Sequence, residues 1–500
     1  MSNNYIDIPL YTTIHDISSR NYTLSATQYK SFCIKNTNVC KLSDFLDREL
    51  IRTDLGNEIG SSNYVEMSPY IFIKTKALQP ESFLLDESKD AIEYITPQSF
   101  NNAQMKLKAG DILISKDSNV GEIVILDKDY PNAALCGGIY RLPISKHKYY
   151  LLAFIKSDLF RQQIDYLVPR GSTIRHGKTT FLNCLIPIPN YDKENTIKYV
   201  ECLTKAIINK QISIRERYRN AMAAIQSELE TNQSERIFNF SLPTIKEIQD
   251  IDRIDASLYS EDFKRNEFLI SNYLYGVSNI KSLGFVPSRG QNLQVSNIGI
   301  SIHSSEYRNG YYKLILPKYI SKYGTVDKCE YLGNPNKLKT LKKGEIIFGA
   351  EGNEKGRSLV VVEEQDCAIT NIHGITLNQT EHNLQKGIFV KLFLDYYRSN
   401  GMVDAYAVGG NGGSLAIKYW EFIKFPNFPD KMEKEIASLY FNSCQYNCSR
   451  CTLETFDEYD NQFNKSAGIY ELDKAMKYLQ SKLDKAINDV ANDIIVDISF

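Results

Sequence analysis

The sequence is poor in tryptophan and histidine, with one and six of these residues among 500, and it contains no long apolar run. No stretch approaches the roughly 18–20 consecutive apolar residues of a membrane span, so no membrane association is expected. The N-terminal residues lack the basic and apolar segments of a secretory signal. Ten cysteines are scattered along the chain. Together these observations favour reduced thiols and a cytoplasmic location.

The chain also lacks an excess of charge of either sign, since its formal net charge is −1. It therefore has no overall basic field, and any site for a polyanion must depend on local clusters of Lys and Arg. Hydrophobic residues make up 43% of the chain and charged residues 24%, as in ordinary globular proteins. A length of 500 residues exceeds what one core supports and predicts about two to four domains.

Motifs of catalysis are missing as well. The glycine-rich run Val408–Ser414 lacks the Gly-Lys-Ser/Thr ending of a phosphate-binding loop. There is no Asn/Asp-Pro-Pro-Tyr/Phe motif for amino-group methylation and no recognisable nucleophile–base pair. Cys444, Cys448 and Cys451 are close in sequence, but a structural zinc usually needs four ligands, so three thiols in a connector is the simpler interpretation. We therefore predict a non-catalytic chain that binds no cofactor or metal itself.

One element occurs twice. Residues 107–114 read LKAGDILI and residues 341–348 read LKKGEIIF, and each is followed by a polar loop, a glycine and a second apolar run. The first glycines, Gly110 and Gly344, are 234 positions apart. This period is much longer than the roughly 20–50 residues of a solenoid repeat. It corresponds to a whole domain plus a connector, so the sequence predicts two related domains.

The predicted fold class is α+β, with two similar mixed α/β domains separated by two long helical regions. Short β-type runs punctuated by Gly, Asn, Asp and Pro fill each domain, and one helix is expected late in each, at 149–167 and 388–398. Pro187 and Pro426 mark equivalent exits, because proline disfavours both helix interiors and central strands. The predicted boundaries are 1–190 for the first domain, 191–250 for a central helical spacer, 251–429 for the second domain, and 430–500 for a C-terminal helical spacer.

Both spacers carry apolar residues at heptad spacing. A long helix is expected over about 193–232, because no Gly or Pro interrupts that segment. A short helix at about 430–442 and an irregular stretch precede a second heptad pattern over 469–490. Narrow apolar stripes of this kind need a partner helix, so the two patterns predict an antiparallel coiled coil that joins the domains at opposite ends. The alternative is that each helix packs on its own domain.

A polar loop near the end of each domain is the best candidate for contact with a polyanion. The segment 168–180 has no acidic residue, and arginine can grip phosphate or guanine edges while hydroxyl groups donate to phosphate. Its counterpart is the uncharged run 408–414, which suits close backbone approach. The alternative is a pair of solvated loops. The candidate contact residues here are Arg170, Ser172, Thr173, Arg175, His176 and Lys178 in the first domain, and Asn411 and Ser414 in the second.

The loops inside the doubled element are the next candidates. They occupy equivalent places but differ in sequence, and a constant frame with a variable loop is how a scaffold is adapted to different targets. Ordinary hairpin turns are the alternative. A nearby group of lysines (337, 339, 342 and 343) could contact phosphate or form a solvated face. The candidate residues in these loops are Lys116, Ser118 and Asn119, and Asn353, Lys355 and Arg357.

These features together resemble the specificity (S) subunits of type I restriction–modification systems. The resemblance depends on the order globule, helix, globule, helix, on the doubled element, and on the exits marked by proline. The string Asp252–Tyr259 (DRIDASLY) is similar to one that often opens a target-recognition domain in this family, and 24–29 is a faint echo of it. The stretch 444–466 departs from the pattern because it interrupts the second helical region.

The resemblance implies two target-recognition domains, each reading one half of a split site in double-stranded DNA. It also implies that the helical regions act as a spacer and dock two methyltransferase subunits, which bring S-adenosylmethionine and methylate adenine N6. With motor–nuclease restriction subunits, such a complex cleaves unmodified DNA. The competing hypotheses are a tandem-domain scaffold that binds proteins and no DNA, and an enzyme fused to a recognition half.

Overall fold

The computed structural model describes residues 5–19, 22, 24, 29–168, 176–235, 237–352, 354–363, 368–409 and 413–500. The chain divides into two compact units, which share the helical regions between them. The first unit comprises Met1–Ile212, Tyr446–Lys465 and Lys474–Phe500, and the second comprises Ser213–Gln445 and Ser466–Asp473. Both units mix helices with short strands, in agreement with the predicted α+β class.

The first unit contains eleven described strands and four helices before the central helix. The strands are β1 Ile6–Asp7, β2 Ser31–Phe32, β3 Val39–Lys41, β4 Tyr64–Val65, β5 Ile71–Ile73, β6 Ile92–Ile95, β7 Ile112–Ser115, β8 Ile123–Ile125, β9 Ala133–Leu135, β10 Ile139–Leu142 and β11 Leu185–Pro187. The helices are α1 Ile14–Ser19, α2 Pro97–Ala103, α3 Lys148–Lys156 and α4 Asp158–Leu167. The central helix α5 then runs over Lys193–Thr231, close to the predicted 193–232.

The second unit repeats this layout. Its described strands are β12 Val277–Asn279, β13 Phe285–Arg289, β14 Ile302–Ser304, β15 Tyr312–Leu314, β16 Glu330–Gly333, β17 Ile346–Gly349, β18 Ser358–Val360, β19 Ala368–Ile369, β20 Gly374–Gln379 and β21 Lys424–Pro426. Its described helices are α6 Ile245–Ile251, α7 Glu261–Ser271, α8 Val295–Ile298, α9 Leu384–Ser399, α10 Met402–Tyr406 and α11 Asp430–Tyr440. The C-terminal region adds α12 Phe456–Ser466 and α13 Ile469–Ala491.

The sheets of the two units have the same strand order. The order β10-β7-β8 in the first unit corresponds to β20-β17-β18 in the second, where β13 extends the edge. The order β4-β6-β5-β9 corresponds to β14-β16-β15-β19, and in each the last pair is parallel while the others are antiparallel. The pair β11-β3 corresponds to β21-β12. The sequence repeat is therefore a repeat of topology.

The doubled element forms the hairpin β7–β8 in the first unit and the hairpin β17–β18 in the second. Its first glycines, Gly110 and Gly344, have φ of +85° and +86°, and the second, Gly121 and Gly356, have +86° and +84°. Left-handed backbone costs other residue types roughly 1–2 kcal/mol, which explains glycine at all four places. The amides of Gly110 and Gly344 also make equivalent hydrogen bonds, to the carbonyl oxygens of Leu126 at 2.7 Å and Val361 at 2.8 Å.

The prediction of one helix over 149–167 is wrong in one respect, because the segment forms two helices, α3 and α4. Ser157 is extended, with φ −76° and ψ 160°, and separates α3 from α4. Its amide and its hydroxyl both donate to the carbonyl oxygen of Phe154, at 3.1 and 2.6 Å. A serine that bonds the carbonyl three residues earlier competes with the helical hydrogen-bond ladder, so the break has a local cause.

The apolar stripes of the two spacers are buried, as the heptad patterns predict. On α5, Leu203 and Ile225 are fully buried, and on α13 so are Leu472 and Leu479. The two helices run antiparallel. In the first unit, Tyr199 near the start of α5 donates to the carbonyl of Ser499, beyond the end of α13, at 2.6 Å. In the second unit, Arg217 further along α5 donates to the carbonyl of Ala467, just before α13 begins, at 3.2 Å.

The stretch expected to be irregular before the last heptads contains the helix α12. Phe456, Asp460, Phe463 and Asn464 are buried on one face of it, at the spacing of a helix side. Lys210 of α5, whose side chain is fully buried, forms an ion pair with Asp460 and donates to the Asn464 side chain at 3.0 Å. A third helix therefore packs on α5 within the first unit. None of the described helices is long and apolar enough to cross a lipid bilayer.

Candidate nucleic-acid interface

In each unit, the loop of the doubled hairpin pairs with the loop near the end of the domain. In the first unit, Asp117 and His176 form a β-bridge, and the amide of Gly177 donates to the carbonyl of Lys116 at 2.7 Å. In the second unit, Glu351 and Ser414 form the equivalent bridge, and the amide of Leu415 donates to the carbonyl of Ala350 at 2.9 Å.

The backbone thus brings together two segments about sixty residues apart, and does so twice. The two loop types that the sequence offered as separate candidates form one surface in each unit. Asp117 and Glu351 are 234 positions apart, the same spacing as the first glycines of the doubled element. The hydrogen bonds of the frame therefore place an acidic side chain at the same point in both units.

Four of the candidates in the first unit are exposed at this surface: Ser118, Asn119, His176 and Lys178. Lys116 is partly buried, and its ammonium lies 2.6 Å from Oδ2 of Asp117. Left-handed backbone at Ser118 (φ +61°) and Lys178 (φ +46°) marks both loops as tightly turned. The remaining candidates of this unit, Arg170, Ser172, Thr173 and Arg175, lie outside the described residues.

The candidates of the second unit are arranged differently. The side chain of Lys355 is 8% exposed and pairs with Asp404 at 2.9 Å. Arg357 donates to the carbonyl of Ile320 at 2.9 Å and forms an ion pair with Glu354. Burial lowers the pKa of Arg357, and the Glu354 carboxylate acts in the opposite direction. Both cations are therefore engaged within the unit, where they hold the loop in place.

The two ends of the glycine-rich run, Val408 and Ser414, pair with each other through their backbones. The amide of Val408 donates to the carbonyl of Ser414 at 3.0 Å, and the amide of Ser414 returns the bond at 2.9 Å. The hydroxyl of Ser414 donates to Oε1 of Glu351 at 3.3 Å. Asn411 of this run and Asn353 of the hairpin segment lie outside the described residues.

Sequence reasoning missed the two acidic residues and two of their partners. Asp117 binds Nδ1 of His176 at 2.8 Å through Oδ1 and Lys116 through Oδ2. Glu351 binds Nδ1 of His373 at 2.7 Å through Oε2 and Arg289 Nη1 at 3.1 Å through Oε1. An alignment of the two halves on their first glycines would have paired the acids, since the residues then differ only as Asp and Glu. No comparable signal in the sequence points to His373 or Arg289.

The surroundings of Glu351 favour its ionised form. Partial burial raises the pKa of Glu351, but the hydrogen bond from His373 and the positive charge of Arg289 lower it, so the net pKa is below the usual range. An ionised carboxylate only accepts hydrogen bonds. Each partner of Glu351 must therefore be the donor.

Basic and polar side chains extend this surface in the second unit. Arg289 and Lys339 line a small surface depression together with Gln291, Thr376 and Asn378. The ammonium of Lys339 donates to the hydroxyl of Ser288 at 2.8 Å. Lys339 belongs to the lysine group noted in the sequence, and its place beside Arg289 suits an anionic group such as phosphate.

Arg253, in the string that resembles the opening of a recognition domain, supports the base of the glycine-rich run. Its side chain is 6% exposed and donates to the carbonyls of Tyr406 at 2.6 Å and Ala407 at 3.1 Å, at the end of α10. A cation at a helix C-terminus satisfies carbonyls that have no helical partner. The counterpart string in the first unit falls on residues of which 25–28 lie outside the described part of the chain.

Among the described residues, no three His, Cys, Asp or Glu side chains are grouped so that they could hold an ion. Cys448 is buried, and burial raises the pKa of its thiol. Cys444 and Cys451 are partly exposed free thiols.

Comparison with known proteins gives matches only among solved structures. No family model matches the chain, and no curated protein matches it. The S subunit of a type I restriction–modification system from M. genitalium is 12% identical, with 91% of this chain and 95% of that chain covered and a TM-score of 0.36.

Two further structures match at similar coverage. One, on complex assembly and conformational transition of the type I R-M system, is 10% identical, with 93% of this chain and 100% of that chain covered and a TM-score of 0.28. The HsdS subunit from Thermoanaerobacter tengcongensis is 10% identical, with 91% and 97% covered and a TM-score of 0.25. The chain is thus similar, over nine-tenths of its length, to specificity subunits of type I restriction–modification systems, the family that its doubled element resembles.

Proposed function

We propose that this chain is the DNA-specificity subunit of a type I restriction–modification complex. Each unit reads one half of a split site in double-stranded DNA through the paired loops described above. The helical regions set the distance between the halves and dock two methyltransferase subunits and the motor–nuclease subunits. The recognition domains correspond to residues 1–190 and 251–429, and the spacers to 191–250 and 430–500. A cytoplasmic location follows from this role.

The observation that carries the proposal is the pair of loop surfaces. The frame around them is equivalent in the two units down to single hydrogen bonds, whereas the side chains that it presents differ. Phosphate contacts position a protein on DNA, and contacts to base edges give specificity. Equivalent frames with different side chains are what two different half-sites require.

The chemistry of methylation and cleavage belongs to the partners. S-adenosylmethionine is bound by the methyltransferase subunits, which also take the target adenine out of the stack. This chain supplies recognition and no catalysis. Incubation of the pure chain with labelled S-adenosylmethionine and DNA should give no methyl transfer, and methylation by the chain alone would contradict the proposal.

The recognised sequence can be found by mapping methylated adenines in the source cell with and without this gene. The expected result is a split motif with two different halves that disappears with the gene. Because the net charge is −1, the isolated chain should bind that sequence weakly and the complex with methyltransferase subunits tightly. Tight, specific binding by the chain alone would contradict this expectation.

A triple variant tests the basic loop of the first unit. Arg170→Ala, Arg175→Ala and Lys178→Ala together should reduce the salt dependence of binding by the complex, by up to about three in slope if all three neutralise phosphates. The matched control replaces three exposed lysines of the same unit: Lys76→Ala, Lys89→Ala and Lys106→Ala. An unchanged slope in the loop variant would remove this loop from the interface, and a complex without any DNA affinity would favour the protein-binding scaffold.

A further inference from the structure

The acidic residue at the tip of the doubled hairpin holds a histidine in each unit, although the two histidines come from different loops. His176 follows α4 and reaches Asp117, whereas His373 precedes β20 and reaches Glu351. The acid is thus the constant part of the arrangement, and the segment that supplies the histidine is the variable part.

Both histidines are exposed, whereas their acids are partly buried. The side chains of His176 and His373 are 64% and 60% exposed, against 16% for Asp117 and 32% for Glu351. Nδ1 of His176 lies 2.8 Å from Oδ1 of Asp117, and Nδ1 of His373 lies 2.7 Å from Oε2 of Glu351. Within the described part of the chain, Nε2 of neither ring has a hydrogen-bond partner. Each pair therefore offers one ring nitrogen to an incoming ligand.

The carboxylate determines what that nitrogen can do. An ionised carboxylate accepts and cannot donate, so the proton of a neutral imidazole must sit on Nδ1. Nε2 then carries a lone pair and acts as an acceptor. In the major groove, the donors that face such an acceptor are the exocyclic amino groups of cytosine N4 and adenine N6.

We propose that Asp117 and Glu351 are positioning residues for sequence recognition, each fixing the tautomer of its histidine so that Nε2 accepts a hydrogen bond from a base amino group. The inference is built on the proposed function and deepens it. Each acid also holds a cation, Lys116 in the first unit and Arg289 in the second, close to the same histidine. In each unit the cation can then contact a DNA phosphate while Nε2 of the neighbouring histidine contacts a base edge.

The test uses the complex with its methyltransferase subunits and duplexes that carry the recognised sequence. Each base pair of each half is changed in turn, and equilibrium binding is measured for Asp117→Asn and Glu351→Gln. An amide can donate to Nδ1 and move the ring proton to Nε2, which then repels an amino group and favours guanine or thymine acceptors. The expected result is a loss of discrimination of about tenfold or more at a cytosine or adenine. The loss should fall in one half for the first variant and in the other half for the second.

The duplication supplies the controls. Each variant changes one unit only, so unchanged base discrimination in the other half of the DNA site shows that the chain is folded and assembled. Asp117→Glu and Glu351→Asp keep the carboxylate and should retain most of the discrimination. Asp90→Asn and Glu306→Gln remove an exposed carboxylate from each unit and should leave the base preferences as they are.

Two results would overturn the inference while leaving the proposed function intact. One is that both amide variants keep the full base preference in both halves. The other is that affinity changes by the same factor for every sequence, which would mean that only charge was altered. If the unmodified complex binds no specific sequence, the proposed function fails, and this inference fails with it.

Discussion

The guanidinium of Arg253 closes the end of the helix Met402–Tyr406, with Nη1 donating to the carbonyl of Tyr406 at 2.6 Å. The carbonyl of Arg253 itself accepts a hydrogen bond from Tyr259 at 2.6 Å. Two residues of one short string are thus linked to each other and to the helix that precedes the glycine-rich run. The string resembling a family motif has a structural role here: it fixes the base of a candidate recognition loop.

Arg253→Ala should lower the free energy of unfolding of the second unit by about 3 kcal/mol, because several buried carbonyls lose a charged donor. Trp420, the single tryptophan, is buried in this unit, so its fluorescence during urea denaturation reports the unfolding of this unit alone. Arg265→Ala is the matched control. Arg265 is 60% exposed and its ion pair with Glu261 lies at the surface, so a loss below about 0.5 kcal/mol is expected. Equal losses in the two variants would contradict the role given to Arg253.

Gly344→Ala should destabilise the second unit by about 2 kcal/mol or more. The backbone at Gly344 is left-handed, and an added Cβ would lie 3.1 Å from the carbonyl oxygen of Asn383. Gly310→Ala separates the cost of left-handed backbone from the cost of the steric contact. Gly310 has φ of +79°, and no atom lies within 4 Å of an added Cβ. It should cost about 1 kcal/mol, from the backbone alone. The same tryptophan fluorescence reads both variants, and a larger loss for Gly310→Ala would refute the argument.

Lys156 should make the first unit more stable as the pH rises from 8 to 10.5. Its side chain is 8% exposed, and burial lowers its pKa to about 8, opposed by the carboxylate of Glu122 at 3.3 Å. Below pH 8 the lysine is charged in both states and the folded state bears the cost of burying it. Above pH 10.5 it is neutral in both states and that cost is gone, a difference of about 3 kcal/mol.

The difference between the wild type and Lys156→Met isolates this contribution, because other groups titrate alike in both proteins. Urea denaturation followed by circular dichroism at pH 7.5, 9 and 10 should show the wild type gaining stability relative to the variant at each step. Lys146→Met, at an exposed position, should differ from the wild type by less than about 0.5 kcal/mol throughout. A difference curve for Lys156→Met that stays flat would rule out a buried charged lysine.

The buried ion pair of α9 should show strong coupling. Lys391 and Asp395 are 0% and 2% exposed, with Nζ 2.6 Å from Oδ2, and Lys391 also donates to the carbonyl of Tyr323 at 2.9 Å. Lys391→Met or Asp395→Leu alone leaves a buried charge without its partner and should cost about 3–5 kcal/mol. The double variant should lose clearly less than the sum, as measured by the Trp420 fluorescence in a double-mutant cycle. Additive losses would show that the two side chains do not stabilise each other.

Much of the architecture was predictable from local features of the chain. Glycines that need left-handed backbone, the prolines at the exits and the heptad stripes each depend on neighbours in sequence, so the doubled domains and the buried helical seams follow from them. The break at Ser157 escaped notice, because a serine inside a helical pattern either continues the helix or ends it, depending on where its hydroxyl bonds. The helix over Phe456–Ser466 was missed because half of its buried face is polar and is satisfied by Lys210 of a distant segment.

The candidate site was predictable only in part. Loop positions could be found, because the frame around them repeats, but the availability of each side chain could not. Lys355 was offered as a contact residue and lies against Asp404 instead, forty-nine residues further along the chain. Asp117, Glu351 and His373 gained significance only from the structure, which also pairs the candidate His176 with Asp117.

The sequence by itself determined that two related domains follow each other, each with a glycine-bounded hairpin and a helical region with a narrow apolar stripe behind it. Those features are set by backbone sterics and by hydrophobic periodicity, which act over a few residues. Only the tertiary structure decided which side chains share a surface and which are held within a unit. That depends on hydrogen bonds and ion pairs between segments tens of residues apart, such as the contact of Asp117 with His176, and no local pattern encodes them.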